Sequence, residues 1–226
     1  MEKPKVSLLT IFAALLLGLT QMKAEAAPIV LTFEGLGDQE PVENFYDGGL
    51  GGNGSGPGQD FDITFSSNAL AIIDEDAGGI GNFGGEPSPD TVLFFLTGSA
   101  TTMNVSSGFD TGFSFFYSAI HNPGVIRVYD SVDATGNVLA TLNLPLTPVN
   151  GAPDPTGAFS PLVSFGVSFS GVAKSVDFGG TINQIGFDNI TLGSATPGGT
   201  VPEPGTIVLV ASGLVGLALW RRKHIA

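Results

Sequence analysis

The middle of this chain predicts an all-β fold, a single β-sandwich. Three observations carry that prediction. Between residues 27 and 200, short runs of β-branched and aromatic residues recur, several with strict period two. Clusters of Gly, Pro, Asn and Asp separate them, in a chain holding 33 Gly and 15 Pro. No amphipathic helix interrupts the series. About ten short strands with turn signals between them is the composition of a sandwich. No internal repeat is visible, which argues against a propeller or solenoid.

Residues 29–34 (IVLTFE) open the series, and Gly35 should end that strand. Residues 41–46 are expected to form a second short strand. The next stretch, DGGLGGNGSGPG at 47–58, lacks the Gly-Lys-Ser/Thr end of a phosphate loop and reads as a flexible surface loop. Residues 60–66 alternate, with Phe61, Ile63 and Phe65 on one face and Asp62 and Thr64 on the other. Residues 69–73 form a strand that runs into DEDAGGIGNFGGE. That loop starts like a calcium loop, with Asp74, Asp76 and Gly79 at the first, third and sixth places, but Gly85 stands where the twelfth-place Glu belongs. TVLFFL at 91–96 is apolar throughout, as a strand buried on both faces would be.

Residues 102–105 continue the pattern, and 108–119 put Phe113, Phe115 and Tyr117 on one face with Phe116 on the other. Residues 124–130 and 137–144 are joined by a turn around Gly136 as a hairpin. A proline-rich crossing loop follows, from 146 to 161. Strands resume at 163–169, 173–178 and 182–192. In the last of these the phase changes: Ile185 and Phe187 share one parity, Ile190 and Leu192 the other. A bulge near Asp188–Asn189 accounts for the change.

Both ends differ from this block. Residues 1–26 have a basic start (Lys3, Lys5), an apolar stretch and the small-x-small site Ala24-Glu25-Ala26, so a signal peptide is expected to be cut before Ala27. The sandwich should occupy 27–194 and a flexible linker 195–200. Residues 201–226 begin with Pro202-Glu203-Pro204, continue as an apolar transmembrane run at 206–220, and end in Arg221, Arg222 and Lys223. The run from Ile207 to Trp220 rises only about 21 Å as a helix, short of a ~30 Å hydrocarbon core. Snorkelling of the basic side chains narrows that gap, and their charge keeps this end cytoplasmic and the bulk of the chain outside.

Charge and composition exclude several functions. Between residues 27 and 200, 18 Asp and Glu face two bases, Arg127 and Lys174. Such a surface repels nucleic acid and anionic lipid, and attracts divalent cations or basic partners. The chain has no Cys, so thiol catalysis, Cys-ligated zinc and iron–sulfur clusters are excluded. With two His, His121 and the tail residue His224, a multi-His metal site within one chain is excluded too. A Ser-His-Asp triad would have to use His121, and no G-x-S-x-G elbow accompanies it.

The tail resembles a PEP-CTERM sorting segment: triplet, short apolar stretch and Arg-rich end follow in the order that family has. The resemblance implies export through the secretion translocon, transient anchoring in the inner membrane, and processing at Pro202, Glu203 and Pro204 by an exosortase-like enzyme, with Arg221 and Arg222 as the basic stop. It also implies an organism that makes exopolysaccharide matrices, and a final place on the outer surface or outside the cell. The central block resembles the sandwich domains found ahead of such segments, in GSGPGQDFDITFSSNAL, PDTVLFF, GFSFFYS, VYDSVDATGNVLATLNL and KSVDFGGTINQIGFDNITLG. These are similar to jelly-roll-like and galactose-binding-like sandwiches, many of which hold a structural Ca²⁺ between first and last strands. The matching positions are Glu34 and Asp188, although Asp188-Asn189 could equally be bulge residues bonding their own backbone.

The expected function is a non-enzymatic structural or adhesive component of the envelope or of a biofilm exopolysaccharide matrix. A Ca²⁺-dependent carbohydrate-binding module is the alternative and a secreted hydrolase the third. Seventeen Phe against three Tyr and one Trp is a core-filling balance. Tyr46, Tyr117 and Tyr129 are the only aromatic sugar platforms on offer in the block, and each suits a core or strand position as well.

Overall fold

A computed structural model describes residues 27–149, 157–159 and 161–198. The expected signal peptide, the sorting segment with its transmembrane run, and part of the proline-rich loop lie outside the described residues. No helix among the described residues is long and apolar enough to cross a membrane.

Among the described residues eleven strands form where the apolar runs predict them: β1 (Ile29–Leu31), β2 (Ile63–Phe65), β3 (Leu70–Ile73), β4 (Thr91–Phe94), β5 (Ala100–Phe109), β6 (Gly112–Ser118), β7 (Gly124–Tyr129), β8 (Val138–Leu144), β9 (Val163–Ser168), β10 (Ala173–Gly179) and β11 (Gly186–Leu192). They build two antiparallel sheets. The first has the order β3-β4-β11-β6-β9, with β1 also paired to β11; the second has the order β2-β5-β10-β7-β8. The fold is an all-β sandwich, as expected.

The inner faces meet through the residues that period two selects. Phe113, Phe115 and Tyr117 of β6 are buried against Ile126 and Val128 of β7 and Val176 and Phe178 of β10. Phe178 and Phe187 join the two sheets edge-to-face at 5.1 Å. Each such side chain contributes roughly 1.5–3 kcal/mol through burial. All four residues of β4 are buried, as a continuous apolar run requires. Its second face meets a smaller cluster of Ile72, Phe83, Val92, Phe94 and Leu162, with Phe116 and Phe159 packed beside it on the outside of the first sheet.

Several elements differ from the sequence expectation: β1 ends at Leu31 rather than 34, with Phe33 left-handed at φ 63°, and β2 covers only Ile63–Phe65 of 60–66, with Asp62 left-handed at φ 61°. Residues 41–46 are mostly turns, with one isolated bridge to β3, from Pro41 to Leu70. Gln39 and Glu43 have φ of 54° and 43°, and left-handed backbone interrupts a regular ladder. The last strand starts at Gly186 rather than 182, because Asn183 is also left-handed, at φ 54°.

The Gly-rich loop is not free of the fold either. Glu40 is fully buried, and its carboxylate accepts from the backbone N–H of Gly37 at 2.6 Å, Asn53 at 2.9 Å and Ser55 at 3.0 Å. The close approach demands glycine at one position: a Cβ on Gly51 would sit 2.6 Å from Glu40 Oε1. The loop is thus wrapped around a buried anion. Near the other end, Ser194 to Gly198 also hold to the sandwich. Ser114 Oγ donates to the Ser194 carbonyl at 2.8 Å, and the Gly198 N–H donates to Thr191 Oγ1 at 3.1 Å.

Candidate functional site: an acidic junction on the last strand

One edge of β11 is shared by two strands. β1 covers its upper half, from Leu31↔Ile190 to Ile29↔Leu192, and β4 covers its lower half at Phe187↔Leu93. Asp188 and Asn189 lie where one partner gives way to the other. The register to β6 slips there by one residue, between Asp188↔Phe116 and Thr191↔Ser114, and Asn189 is left-handed at φ 46°. This is the bulge that the change of parity predicts.

Glu34 reaches the same place from β1. Phe33 takes φ 63°, which turns the chain out of the strand, and its N–H donates to the buried Tyr46 hydroxyl at 2.6 Å. Glu34 Oε1 then accepts from the N–H groups of Asp90 and Thr91, each at 3.0 Å, and Oε2 accepts from Thr91 Oγ1 at 3.2 Å. Asp188 is fully buried and holds the preceding residues of the same segment. It accepts from the Ser88 N–H at 3.0 Å, and Ser88 Oγ lies 2.7 Å from both of its carboxylate oxygens and 3.3 Å from the Thr32 carbonyl. The Asn189 N–H completes its set at 2.6 Å. Two carboxylates, one just after β1 and one on β11, therefore staple the entry to β4.

The electrostatics of the junction are strained. Burial pushes the Asp188 carboxyl up to about 6, against the hydrogen bonds from Ser88 and Asn189, and the negative charge of Glu34 adds to the rise. Burial likewise raises the Tyr46 phenol, with Asp188 and Glu34 contributing through their charge. Asn189 Oδ1 is buried and accepts no hydrogen bond. Carboxylate and amide oxygens are donor types a hard divalent cation takes, and here the oxygens of Glu34 and Asp188 already accept hydrogen bonds while Asn189 Oδ1 does not. Ser88, Thr91 and Tyr46 are the members that sequence reasoning missed. Ser88 and Thr91 belong to one segment, the entry to β4, Tyr46 to the turns before β2, and none carries a motif.

The other sequence candidates fall elsewhere. Asp74 accepts from the Glu75 N–H at 2.7 Å and caps a 3₁₀ turn, Glu75–Ala77. Among the described residues no three His, Asp or Glu side chains gather as metal ligands, in this loop or at the junction. His121 is exposed after β6, its ring edge-on to Phe159 at 6.0 Å. Tyr46 and Tyr117 are core residues, 5% and 1% exposed, and Tyr129 is half-buried on β7. None of the three forms an open platform.

A second opening lies on the outer face of the first sheet, over the smaller apolar cluster. It is a cavity of about 40 Å³ walled by Phe83, Phe94, Phe159 and Leu162, with Asn82, Asn183 and Gln184 also lining it and Ser118 and Gly186 paired across β6 and β11 beneath.

The tail decides where the chain is sent. Residues 200–223 match the PEP-CTERM protein-sorting motif. A chain with a PEP-CTERM motif is exported, is held at its C-terminus by a membrane anchor before processing, and is an exosortase substrate. The motif covers the triplet and the basic cluster and says nothing of the sandwich ahead of it.

No curated protein matches the chain. Among solved structures, similarity is found to a glycoside hydrolase family 43 arabinoxylan arabinofuranohydrolase from Bacillus subtilis, in complex with cellotetraose. Identity is 21% and the TM-score 0.37, over 58% of this chain and 26% of that one. This chain thus spans about a quarter of that enzyme. A carbohydrate-binding module of Cellvibrio mixtus lichenase 5A, in complex with cellotriose, is 11% identical at a TM-score of 0.34, over 57% of this chain and 88% of that one. The family 11 carbohydrate-binding module of Clostridium thermocellum is 10% identical at 0.33, over 75% and 97%. Scores this low leave the function to be argued from this chain's own residues.

Proposed function

We propose that the chain is a non-catalytic structural or adhesive protein of the cell envelope or extracellular matrix, delivered through its PEP-CTERM motif and clamped by Ca²⁺ at the Glu34–Asp188 junction. The observation that carries delivery is the motif at 200–223. The observation that favours a cation is a fully buried aspartate raised to about 6 beside a second carboxylate, with the buried Asn189 oxygen unbonded. Glu34, Asp188 and Asn189 would hold the ion, which would neutralise the pair and lock β1, β4 and β11 together. The residues cited for the clamp are structural in placement. Asp188 has no exposed surface from which to protonate a substrate.

Pro202, Glu203 and Pro204 are the recognition triplet in this reading, and Arg221 and Arg222 hold the segment in the inner membrane until it is released. Cell fractionation tests it. The native protein should leave the inner membrane for the outer surface or medium, whereas Pro202→Ala with Glu203→Ala should accumulate there at full length. Equal release of both would remove the processing role.

A second reading, a Ca²⁺-dependent carbohydrate-binding module, is favoured by the uncharged cavity on the first sheet. In that case the clamp would fix the strands that carry the cavity floor, and polysaccharide would be the extracellular partner.

A further inference from the structure

The cavity on the first sheet contains a polar group with nothing to bond. Ser118 shares its parity along β6 with Phe116, so both face outward from the sandwich core. It is 1% exposed, and its Oγ has no hydrogen-bond partner. Buried hydroxyls are ordinarily bonded, so an orphan at the floor of a cavity calls for a group that enters from outside. Gly186 is its neighbour across the ladder, and the absence of a side chain there keeps the floor open.

Size and charge restrict what enters. A volume of about 40 Å³ accommodates roughly three to four non-hydrogen atoms at the ~10–15 Å³ each water-sized probe occupies. That suits a single substituent better than a whole sugar ring. No acidic or basic side chain lines the opening, in a chain of net charge −13. The occupant is therefore neutral. Its tip must suit the apolar walls of Phe94, Phe159 and Leu162, and it must also present an acceptor to Ser118 and a donor to the amides of Asn82 and Asn183. An acetamido group meets all three requirements in four non-hydrogen atoms: methyl, carbonyl and N–H. A hydroxymethyl group supplies no apolar tip.

We propose that this cavity receives the N-acetyl substituent of an acetamido sugar in an extracellular polysaccharide, with Ser118 Oγ donating to its carbonyl. The proposal rests on the reading that the chain meets polysaccharide outside the cell. The methyl lies against the phenylalanines, and the rest of the saccharide runs across the mouth beside Asn183 and Gln184.

The test uses the full chain in detergent with two probes of equal length, an N-acetylglucosamine trisaccharide and a glucose trisaccharide. Saturation-transfer NMR should give the strongest signal on the acetyl methyl, and none with the glucose probe. Ser118→Ala should retain or slightly raise the melting temperature, because the hydroxyl it removes has no partner, while weakening binding about 5–10-fold. Asn183→Ala, at the exposed rim, should weaken it about 2–5-fold. No transfer to the acetylated probe, equal transfer to both, or unchanged affinity in Ser118→Ala would each overturn the proposal. Retention on the organism's own extracellular polysaccharide separates the two ideas. If Ser118→Ala is retained as well as the native chain, the cavity assignment falls and the matrix reading stands; if neither is retained, both fall.

Discussion

Two buried carboxylates in this sandwich behave in opposite ways. Glu40 and Asp188 are each fully buried and each accept hydrogen bonds from loop backbone. Burial pushes both upward. At Glu40 the Ser55 hydroxyl and the N–H groups of Gly37, Ser55 and Asn53 outweigh burial, and the carboxyl lies below its ordinary value. At Asp188 the bonds from Ser88 and Asn189 do not suffice, and a second negative charge stands nearby on Glu34. Glu40 is an anion that the protein itself satisfies. Asp188 keeps a raised carboxyl despite its hydrogen bonds, with the charge of Glu34 adding to the rise. The difference separates a carboxylate that builds a loop from the one at which a cation is proposed.

Breaking the satisfied site should have the largest effect. Glu40→Ala leaves three N–H groups without their acceptor, and at ~1–3 kcal/mol for each buried orphan, discounted for water entering the loop, the loss should be about 3–4 kcal/mol. Hydrogen exchange should show residues 47–58 opening, with or without Ca²⁺. A loss under about 1 kcal/mol would mean the Gly-rich loop holds itself together.

Filling the unsatisfied site comes next. Ca²⁺ at about 100 times its dissociation constant should stabilise the protein by about 2.7 kcal/mol, seen as a higher melting temperature by calorimetry. Glu34→Gln should abolish that shift. Glu40→Ala should keep it, which makes the two carboxylates separable in one set of scans.

Removing the charge should have a smaller effect of opposite sign. Keeping Asp188 ionised costs about 3 kcal/mol relative to the unfolded chain at neutral pH. Asp188→Asn is relieved of that cost but loses an acceptor for Ser88, so without Ca²⁺ it should be more stable by about 1–2 kcal/mol in urea titrations. Destabilisation would show that the hydrogen bonds dominate.

The pH dependence is the finest distinction. Asp188, raised to about 6, binds a proton in the folded protein before the unfolded chain does. Its contribution therefore makes the Ca²⁺-free protein more stable as pH falls from about 7.5 to about 5, by about 1 kcal/mol. With Ca²⁺ present the trend should reverse, since protons then compete with the ion. Glu40, held low, contributes stability that is complete above the ordinary Glu range and lost only as pH falls below it. Thermal scans of native protein and Asp188→Asn across that interval should differ in slope.

Much of this architecture was legible in the chain. Period two placed Phe113, Phe115 and Tyr117 in the core, and the parity change at Asp188–Asn189 located the bulge. Both patterns are local, because a strand's alternation is written in consecutive residues. What stayed hidden depends on distant partners. Glu40 looks like any other acid until Gly37, Asn53 and Ser55 fold around it, and nothing near Ser88 marks it as the residue that holds Asp188, 100 positions away. Residues 41–46 looked extended from their apolar content, but the chain is left-handed at Gln39 and Glu43 and only Pro41 bridges to β3, which short-range pattern does not record. Ser118 gave no signal either. In sequence it is a strand serine, and its unbonded state appears only when the smaller apolar cluster closes over it.

The most direct measurement of the cation account is a calorimetric Ca²⁺ titration of the native chain beside Asp188→Asn at about pH 7.5. Saturable binding of one ion per chain by the native protein, with a rise in melting temperature, and neither in Asp188→Asn, is the predicted result. Equal binding by both proteins, or none by the native chain at millimolar Ca²⁺, would contradict the account.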